Sequence, residues 1–369
     1  TFGGSGVVAT ELGIALSVRG HEIHFITYHQ PVRLEALQYP NIHYHQVNVP
    51  DYPLFKYQPY ELALSSRLVD VIKNAQIDVL HVHYAIPHAY AAYMAKKMLL
   101  DEGIQIPIVT TLHGTDITLV GSHPFYRPAV TFSINHSDRV TAVSESLRQD
   151  TLRLFDIKTK IEVVPNFIDI EKIESVGKPC ERSLLAQKEE KILTHISNFR
   201  PLKRIMDVIG IFERLNPEIP CKLMMVGEGP EKVNAIDYVE KKGLENKILF
   251  LGNSNEIDKI LCYSDLFLLP SEKESFGLSA LEAMAHGVPV ISSDAGGISE
   301  VNKNGYSGFL APIGAVDSMY AKARELLLND ELHTKFKKQA KQQASLFSLD
   351  KIIGKYEAIY SDAAASIRY

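Results

Sequence analysis

The feature that most constrains the fold is a regular alternation of short apolar runs with longer amphipathic segments. The apolar runs have the length of buried strands, and helical segments of 10 or more residues lie between most of them. The runs cover residues 22–26, 79–82, 108–112, 139–143, 161–164, 192–196, 223–226, 248–251, 266–269 and 288–291. This β-α-β rhythm predicts an α/β protein whose parallel sheets are doubly wound, with helices on both faces.

The domain organisation follows from one interruption of this rhythm, near residues 165–191. A chain of 369 residues is also too long for one ordinary core and suits two domains. We therefore predict an N-terminal domain over residues 1–165, a C-terminal domain over residues 166–347, and a final helix over residues 348–369 that packs back on the N-terminal domain. The chain opens in a glycine-rich loop, and such loops normally follow a strand, so we expect a first strand of this domain before Thr1.

The composition excludes several classes of protein. A net charge of −5 gives no global attraction to nucleic acid or to an anionic membrane, so we expect no nucleic-acid partner. No apolar run approaches the roughly 18 residues of a membrane helix, and no signal segment opens the chain, which predicts a cytoplasmic protein without an integral membrane segment. The cysteines are odd in number and widely spaced, which favours inert thiols over a disulfide framework or a zinc site. They are Cys180, Cys221 and Cys262.

The glycine-rich loop is the first candidate binding site. It comprises Gly3, Gly4, Ser5 and Gly6 and runs into a helical pattern. Small residues let the backbone approach a phosphate, and a helix N-terminus offers free amides and the positive end of its dipole. The spacing also fits a dinucleotide fingerprint, but the next strand ends Thr27-Tyr28-His29, without the acid that would hold a ribose. A tight turn without function is the alternative to an anion site.

Two carboxylates eight residues apart, Glu274 and Glu282, form the second candidate site. They flank a loop that turns into a helix after the apolar run 266–269. The amides of residues 276–278 would then point at an anionic group between the acids, and the carboxylates would suit the hydroxyls of two sugars. The alternative is a helix whose first-turn acids are favoured by the dipole, which explains Glu274 but not Glu282.

Two further candidates follow predicted strands. Arg200 and Lys203 lie between a strand and a helix, where cations beside a diphosphate would stabilise a leaving group. Solvated cations are the alternative, which the helix dipole disfavours at this end. His113 directly follows the run 108–112, and open α/β sheets place ligands at the carboxyl ends of strands. His81 and His83, on a neighbouring strand, are interpreted as structural.

Taken together, these segments resemble the retaining glycosyltransferases with the GT-B fold. Glu274 and Glu282 match the E-x7-E signature of that family, and several other stretches agree with it. These stretches are residues 164–167, 226–230, 287–290, 296–300 and 304–310. The resemblance covers essentially the whole chain. It implies two Rossmann-like domains that face a central cleft, a nucleotide-sugar donor, and neither a metal ion nor another cofactor.

The resemblance also implies roles for the candidate residues. Glu282 would bind the nucleotide ribose, Glu274 the hydroxyls of the transferred sugar, and His113 the sugar 6-hydroxyl. His113, Lys203 and Glu274 are thus the catalytic candidates. The donor-binding candidates are Gly3, Gly4, Ser5, Asn198, Arg200, Lys203, Glu274, Ser275, Phe276, Gly277, Leu278 and Glu282. One departure concerns Asn198, which occupies the position of a family arginine, so Arg200 is the candidate for the second positive charge.

The segments 83–89 and 112–118 narrow the resemblance to bacterial members that act in bacillithiol biosynthesis. That resemblance implies UDP-N-acetylglucosamine as the donor, L-malate as the acceptor, and an α-linked product with UDP. Malate is a small dianion, which favours cations, hydroxyls and amides near the anomeric carbon. Tyr84, Thr115 and Arg127 are the acceptor-binding candidates. For Arg127 the alternative is an ordinary residue at the start of a surface helix.

Several alternatives stay open at this point. A retaining glycosyltransferase with another small acceptor would carry the same motifs. The match of the glycine loop to a dinucleotide fingerprint leaves a nicotinamide-dependent oxidoreductase as a weaker alternative. A non-catalytic nucleotide-sugar-binding protein is a third, although the chain keeps both acids, Lys203 and His113. The sequence also leaves a homodimer open as the oligomeric state.

Overall fold

The computed structural model describes residues 4–31, 34, 39–51, 56–175, 182, 186–187 and 189–366. Their strands are β1 (Ile23–Thr27), β2 (Ile42–Gln46), β3 (Leu80–His83), β4 (Ile108–Leu112), β5 (Arg139–Ala142), β6 (Ile161–Val163), β7 (Lys191–Ile196), β8 (Cys221–Val226), β9 (Ile248–Gly252), β10 (Leu266–Leu269), β11 (Val290–Ser293) and β12 (Gly308–Ala311). All the strand pairings of these residues are parallel, as the rhythm of the sequence predicts.

The helices of the same residues occupy most of the segments between strands. They are α1 (Gly4–Val18), α2 (Tyr60–Asn74), α3 (Tyr90–Asp101), α4 (Arg127–Asn135), α5 (Glu145–Leu154), α6 (Ile170–Ser175), α7 (Ile205–Leu215), α8 (Lys232–Lys241), α9 (Ile257–Tyr263), α10 (Leu278–Ala285), α11 (Ile298–Val301), α12 (Val316–Leu328), α13 (Asp330–Ala344) and α14 (Leu349–Ala365). Single helical turns cover Thr115–Leu119, Pro201–Lys203 and Ser345–Phe347, and Ala85–Ala89 forms a kinked turn whose backbone is extended at Ile86. No described helix combines the length and the apolar composition that crossing a bilayer requires.

The chain divides into two compact units, and the first comprises Thr1–Asn166 together with Leu349–Tyr369. Its sheets are a four-stranded one in the order β3-β4-β5-β6 and a two-stranded one of β1 and β2. Helices α2 and α3 pack together over a core that includes Leu68 and Leu99. The last helix, α14, packs against α1 and β4, and its Tyr356 is buried. The final segment of the chain therefore completes the first unit.

The second unit comprises Phe167–Ser348 and contains one six-stranded parallel sheet. Read from one edge, its order is β9-β8-β7-β10-β11-β12, the strand order of a Rossmann fold. Helix α7 packs a stripe of buried apolar residues, among them Val208 and Phe212, against the core of the unit. The chain leaves β7 toward one edge and returns to β10 beside it, which creates a topological switch point between these two strands.

The cysteines agree only in part with the sequence analysis. Cys221, the first residue of β8, is a buried thiol, and burial raises its pKa to about 12, so it is inert as expected. Cys262 on α9 is disulfide-bonded, which contradicts the prediction of a free thiol. Spacing along the chain does not predict this, because the fold decides which thiols approach each other. Cys180 lies outside the described residues.

Candidate active site

The switch point of the second unit is where a Rossmann-type sheet binds its ligand. Strands β7 and β10 lie side by side there, with Leu193 opposite Leu266 and Thr194 opposite Phe267. The loop after β7 carries Lys203, and the loop after β10 carries Glu274. Both predicted catalytic residues of this unit therefore follow the carboxyl ends of the two strands that form the switch point.

The side chains of Lys203 and Glu274 meet directly. The Nζ of Lys203 lies 2.7 Å from Oε2 of Glu274, and the two side chains are only 16% and 14% exposed. A backbone hydrogen bond of 2.8 Å from the amide of Glu272 to the carbonyl of Leu202 joins the same two loops. The loops thus hold an ammonium and a carboxylate together at the place where an anionic, hydroxyl-rich ligand would bind.

Glycines fix the path of the loop that carries Glu274. Gly277 has a φ of +94° and directly precedes α10, so the helix starts at Leu278, close to the predicted start. A Cβ at Gly296 would overlap the carbonyl oxygen of Glu274, which accepts a 2.8 Å hydrogen bond from the amide of Gly297. Any larger side chain at Gly296 would therefore push Glu274 away from Lys203.

The remaining donor candidates of this loop differ in how a ligand could reach them. Phe276 is buried and its ring packs edge-on against Phe347, with the ring centroids 5.6 Å apart, so it can offer only its backbone. Ser275 and Leu278 are half-buried around the start of α10. Glu282 is half-buried one turn further along the helix. The first turn of α10 carries the free amides that the sequence predicts as an anion site, and anion binding there stays a prediction.

The loop after β7 is shaped by backbone-to-backbone packing. Cβ atoms at Gly227 and Gly229 would overlap the carbonyl oxygens of Ser197 and Asn198, respectively, so these positions require glycine. Asn198 and the cationic Arg200 are both exposed on this loop. The structure therefore presents two of the predicted donor contacts to solvent, while glycine packing holds the backbone beneath them.

His195 belongs to the site although the sequence analysis did not single it out. It is fully buried, its Nδ1–H donates to the carbonyl of Leu268 at 2.8 Å, and its Nε2 lies 2.7 Å from Oγ of Ser197. Burial lowers its pKa to about 4, against the opposing effect of the bond to Leu268. The neutral ring therefore ties β10 to the loop after β7. A histidine inside an apolar strand was the signal that could have revealed it.

In the first unit, the predicted residues gather where β3 and β4 end. The rings of Tyr84 and His113 lie 5.1 Å apart, and the hydroxyl of Tyr84 hydrogen-bonds to Oγ of Ser5 in the first turn of α1. Gly4 is the first residue of the same helix, whereas Gly3 lies outside the described residues. Gly4 and Ser5 thus form the first turn of α1 rather than the predicted loop, and Ser5, Tyr84 and His113 belong to one site at the start of this helix.

A group of half-buried histidines lies around His113. Nε2 of His113 lies 2.8 Å from Nδ1 of His83, so Nδ1 is the ring nitrogen of His113 that can face a ligand. Burial lowers the pKa of both rings well below the usual value. His81 bonds to Thr111 at 2.7 Å and to the hydroxyl of Tyr360 at 2.7 Å, and burial lowers its pKa to about 3. At neutral pH this group carries no positive charge.

Asp116 organises the two turns that follow β3 and β4. Its carboxylate accepts hydrogen bonds from the amides of Ala85 at 2.7 Å and Gly114 at 3.0 Å, and the residue is 2% exposed. Burial raises its pKa to about 6, and the backbone hydrogen bonds oppose that shift. Thr115 beside it is half-buried at the start of a helical turn. Asp116 thus positions the backbone on which His113 and Thr115 sit.

Arg127 has a structural partner in this unit. It is the first residue of α4, is exposed, and its Nη2 donates a hydrogen bond to the carbonyl of Leu154 at the end of α5. The guanidinium also lies 5.8 Å from the ring centroid of Phe155. A cation at a helix C-terminus is favourable. The geometry therefore matches the alternative given for Arg127, and its role in binding an acceptor stays a prediction.

Solved structures share this architecture. A glycosyltransferase from Rickettsia africae ESF-5 superimposes with a TM-score of 0.77 over 97% of this chain and 94% of its own, at 20% identity. Anabaena Alr3699/HepE, solved in complex with UDP and glucose, has a TM-score of 0.78 over 98% of this chain and 97% of its own, at 18% identity. At these identities the likeness concerns the fold, and it confirms the predicted GT-B architecture.

Sequence comparisons extend the likeness from fold to family. Residues 2–172 match the family described as Glycosyltransferase Family 4, and residues 180–343 match Glycosyl transferases group 1. A protein of Bacillus anthracis is 46% identical over 365 residues, which are 98% of this chain and 94% of its own. This chain therefore belongs to the glycosyltransferases, as an enzyme with the GT-B fold. The Bacillus anthracis relative is an N-acetyl-alpha-D-glucosaminyl L-malate synthase. These relatives do not favour the oxidoreductase alternative.

Proposed function

We propose that this enzyme transfers N-acetylglucosamine from UDP-N-acetylglucosamine to the hydroxyl of L-malate, releasing UDP, as the first step of bacillithiol biosynthesis. The relative at 46% identity is named for this product, and its name specifies an α linkage. Because the donor sugar is also α-linked to its diphosphate, the proposed transfer proceeds with retention. Both substrates are cytoplasmic metabolites, so we propose a cytoplasmic enzyme.

The observation that carries the donor half of this proposal is the Lys203–Glu274 pair at the switch point. In the proposed complex, Lys203 and the amides at the start of α10 hold the donor diphosphate, and the exposed Arg200 adds a second positive charge. Glu274 then binds hydroxyls of the transferred sugar and Glu282 the ribose. These fixed charges stabilise the negative charge that develops on the leaving diphosphate.

The same groups support a reaction without a divalent cation. The chain lacks an Asp-x-Asp sequence of the kind that holds a metal diphosphate complex. Cations and helix amides can supply the positive charge instead. We propose that the malate hydroxyl attacks on the face from which UDP departs, and that a donor phosphate oxygen accepts its proton. The contribution of the protein is then orientation and stabilisation of charge.

The acceptor would lie against the site of the first unit. We propose that His113 binds the sugar 6-hydroxyl through Nδ1, while Tyr84 and Thr115 bind malate together with the glycine-rich loop at the start of α1. The neutral state of the His83–His113 pair supports this, because an uncharged ring can bind a sugar hydroxyl in either direction of donation. Arg127 is the proposed cation for a malate carboxylate.

The decisive experiment measures UDP release from UDP-N-acetylglucosamine with and without L-malate. We expect release that depends on malate and that falls sharply with UDP-glucose as donor or glycerate as acceptor. Proton NMR of the product should show an equatorial anomeric proton with a small coupling to H2, which is the signature of an α linkage. Release that is unaffected by malate, or that is faster with another acceptor, would reject malate. A β-configured product would reject retention. Sedimentation of the same sample distinguishes a homodimer from a monomer.

A further inference from the structure

A second cluster of chemically active side chains lies on β1 and β2, apart from the proposed transfer site. The two strands pair in parallel, with His24 opposite His43. Because side chains alternate between the faces of a strand, Glu22, His24, His43 and His45 all project from one face. We refer to these four residues as the histidine face. Three imidazoles and a carboxylate on a two-stranded sheet are an unusual concentration of ligand groups for transition metals.

The spacing of the ligand atoms fits a metal ion. Oε1 of Glu22 lies 3.4 Å from Nε2 of His24 and 3.1 Å from Nε2 of His43. The ligand atoms of these three residues all lie within 4.8 Å of one another. Ligands bound tetrahedrally to Zn²⁺ at about 2.1 Å lie about 3.4 Å apart. We propose that Glu22, His24 and His43 form a binding site for a divalent transition-metal ion, with Zn²⁺ as the best fit.

His45 supplies the outer contact that such sites usually contain. Nδ1 of His24 lies 2.9 Å from Nε2 of His45, so hydrogen bonding at Nδ1 fixes the orientation of the His24 ring and directs Nε2 toward Glu22. Metal-bound histidines typically make such a bond with their second nitrogen. His45 is therefore a positioning residue rather than a ligand in this arrangement.

Exposure allows an ion to reach the site. The His24 side chain is 10% exposed and anchors the site, whereas the side chains of His43 and Glu22 are 41% and 66% exposed. Two ligands can thus close on an ion that the third already holds, and water can fill the fourth position. Imidazole ligands favour Zn²⁺ over Mg²⁺, which binds through oxygen atoms.

The site is separate from the proposed chemistry. Glu22 precedes the first residue of β1, whereas His113 and Tyr84 follow the carboxyl ends of their strands. Parallel α/β sheets place their reaction sites at the carboxyl ends. The ion would therefore join β1 to β2 and stabilise this pair of strands, without taking part in sugar transfer.

Isothermal titration of the full chain, free of any affinity tag, with zinc chloride tests the proposal. We expect one saturable site per chain, no binding of Mg²⁺ at the same concentrations, and a higher melting temperature with zinc. Glu22→Gln and His43→Ala should each weaken zinc binding at least tenfold. His45→Ala should weaken it about ten- to a hundredfold, as expected for an outer contact.

The control is His136→Ala, which removes an exposed histidine at the end of α4 and should bind zinc like the parent. The changes at Glu22 and His43 affect exposed side chains, and circular dichroism checks that the variants fold. The proposal is overturned if the parent shows no saturable zinc binding. It is also overturned if Glu22→Gln and His43→Ala bind as tightly as the parent, or if His136→Ala weakens binding as much as they do.

Discussion

The ammonium group of Lys203 lies 2.7 Å from the carboxylate of Glu274, and the two residues come from loops that follow adjacent parallel strands. The two opposite charges form a largely buried ion pair, so neither charge lacks a partner before a donor binds. A donor that brings two negative phosphates changes this balance and gives Lys203 a second partner. The pair therefore links the stability of the second unit to its proposed reaction.

Replacement of Lys203 by Ala should lower both activity and stability. Loss of a cation that stabilises developing charge should reduce kcat/KM by about a hundred- to a thousandfold. The carboxylate of Glu274, left half-buried without its partner, should cost about 1–3 kcal/mol of stability. UDP release and denaturant unfolding measure the two effects. Lys259→Ala is the matched control, because Lys259 pairs with Glu256 at the surface and should change stability by less than about 1 kcal/mol. Equal effects of the two variants would contradict this role.

Glu282 and Glu274 should contribute to different parts of donor recognition. Glu282→Ala should mainly weaken the binding of UDP, because ribose contacts exist in the donor and in the product alike. Glu274→Ala should leave UDP binding nearly intact and reduce the use of the donor, because its proposed contacts are to the sugar. Calorimetry with UDP on both variants measures the difference. A similar loss of UDP affinity in both would show that the division is wrong.

Activity should not require a divalent cation. Lys203, Arg200 and the amides of α10 are expected to supply the positive charge. Turnover in excess chelator should therefore equal turnover in magnesium. The comparison is repeated with His43→Ala, which is expected to lack the zinc site of the histidine face. If the chelator lowers turnover in this variant too, and magnesium or manganese restores it, a metal ion acts in the transfer itself.

His195 should make the stability of the second unit depend on pH. Its pKa is about 4 in the folded protein and about 6.5 when unfolded. Between these values the unfolded chain binds more protons, so this residue contributes stability that is present above pH 6.5 and is lost as pH falls toward 4. In His195→Gln, the free energy of unfolding measured with denaturant should change less steeply with pH than in the parent, by up to about 1.4 kcal/mol per pH unit. Parallel curves for parent and variant would contradict the assignment.

The acceptor prediction concerns Arg127. If its guanidinium leaves the carbonyl of Leu154 to pair with a malate carboxylate, Arg127→Ala should raise the KM for malate while UDP binding stays intact. A charge-assisted hydrogen bond contributes about 1.5–3 kcal/mol, so kcat/KM should fall about ten- to a hundredfold. Succinate, which lacks the hydroxyl, should inhibit the parent more than the variant. An unchanged KM with a lowered melting temperature would assign Arg127 to the end of α5 alone.

The sequence predicts most of the fold because burial on both faces makes parallel strands continuously apolar. It misses β2, whose His43 and His45 alternate with other residues on an edge strand, and β12, which is short and begins with Gly308. These strands lack the apolar run that identifies the others. The histidine face could not be predicted from the sequence either, because it arises from the register between β1 and β2 rather than from any spacing along the chain.

Some residues of the candidate site could likewise be predicted from the sequence, whereas the contacts of others could not. Residues of the loops after β7 and β10 were predictable, because a motif places each of them at the end of an apolar run. Lys203 and Glu274 are such residues. The bonds of His195 and Asp116 were not, because they join atoms far apart in sequence across a folded sheet. The contact of Arg127 with Leu154 likewise depends on how two helices pack.

The packing of α14 in the first unit has a consequence for synthesis on the ribosome. This helix lies at the end of the chain, after the whole second unit, yet its Tyr360 supplies a hydrogen-bond partner to His81 of β3. Domains generally fold in the order in which they emerge. Here the second unit can complete its fold as soon as its own residues have emerged, whereas the first unit can complete its fold only after α14 has emerged. The first unit, whose synthesis starts first, is therefore the last to complete its fold.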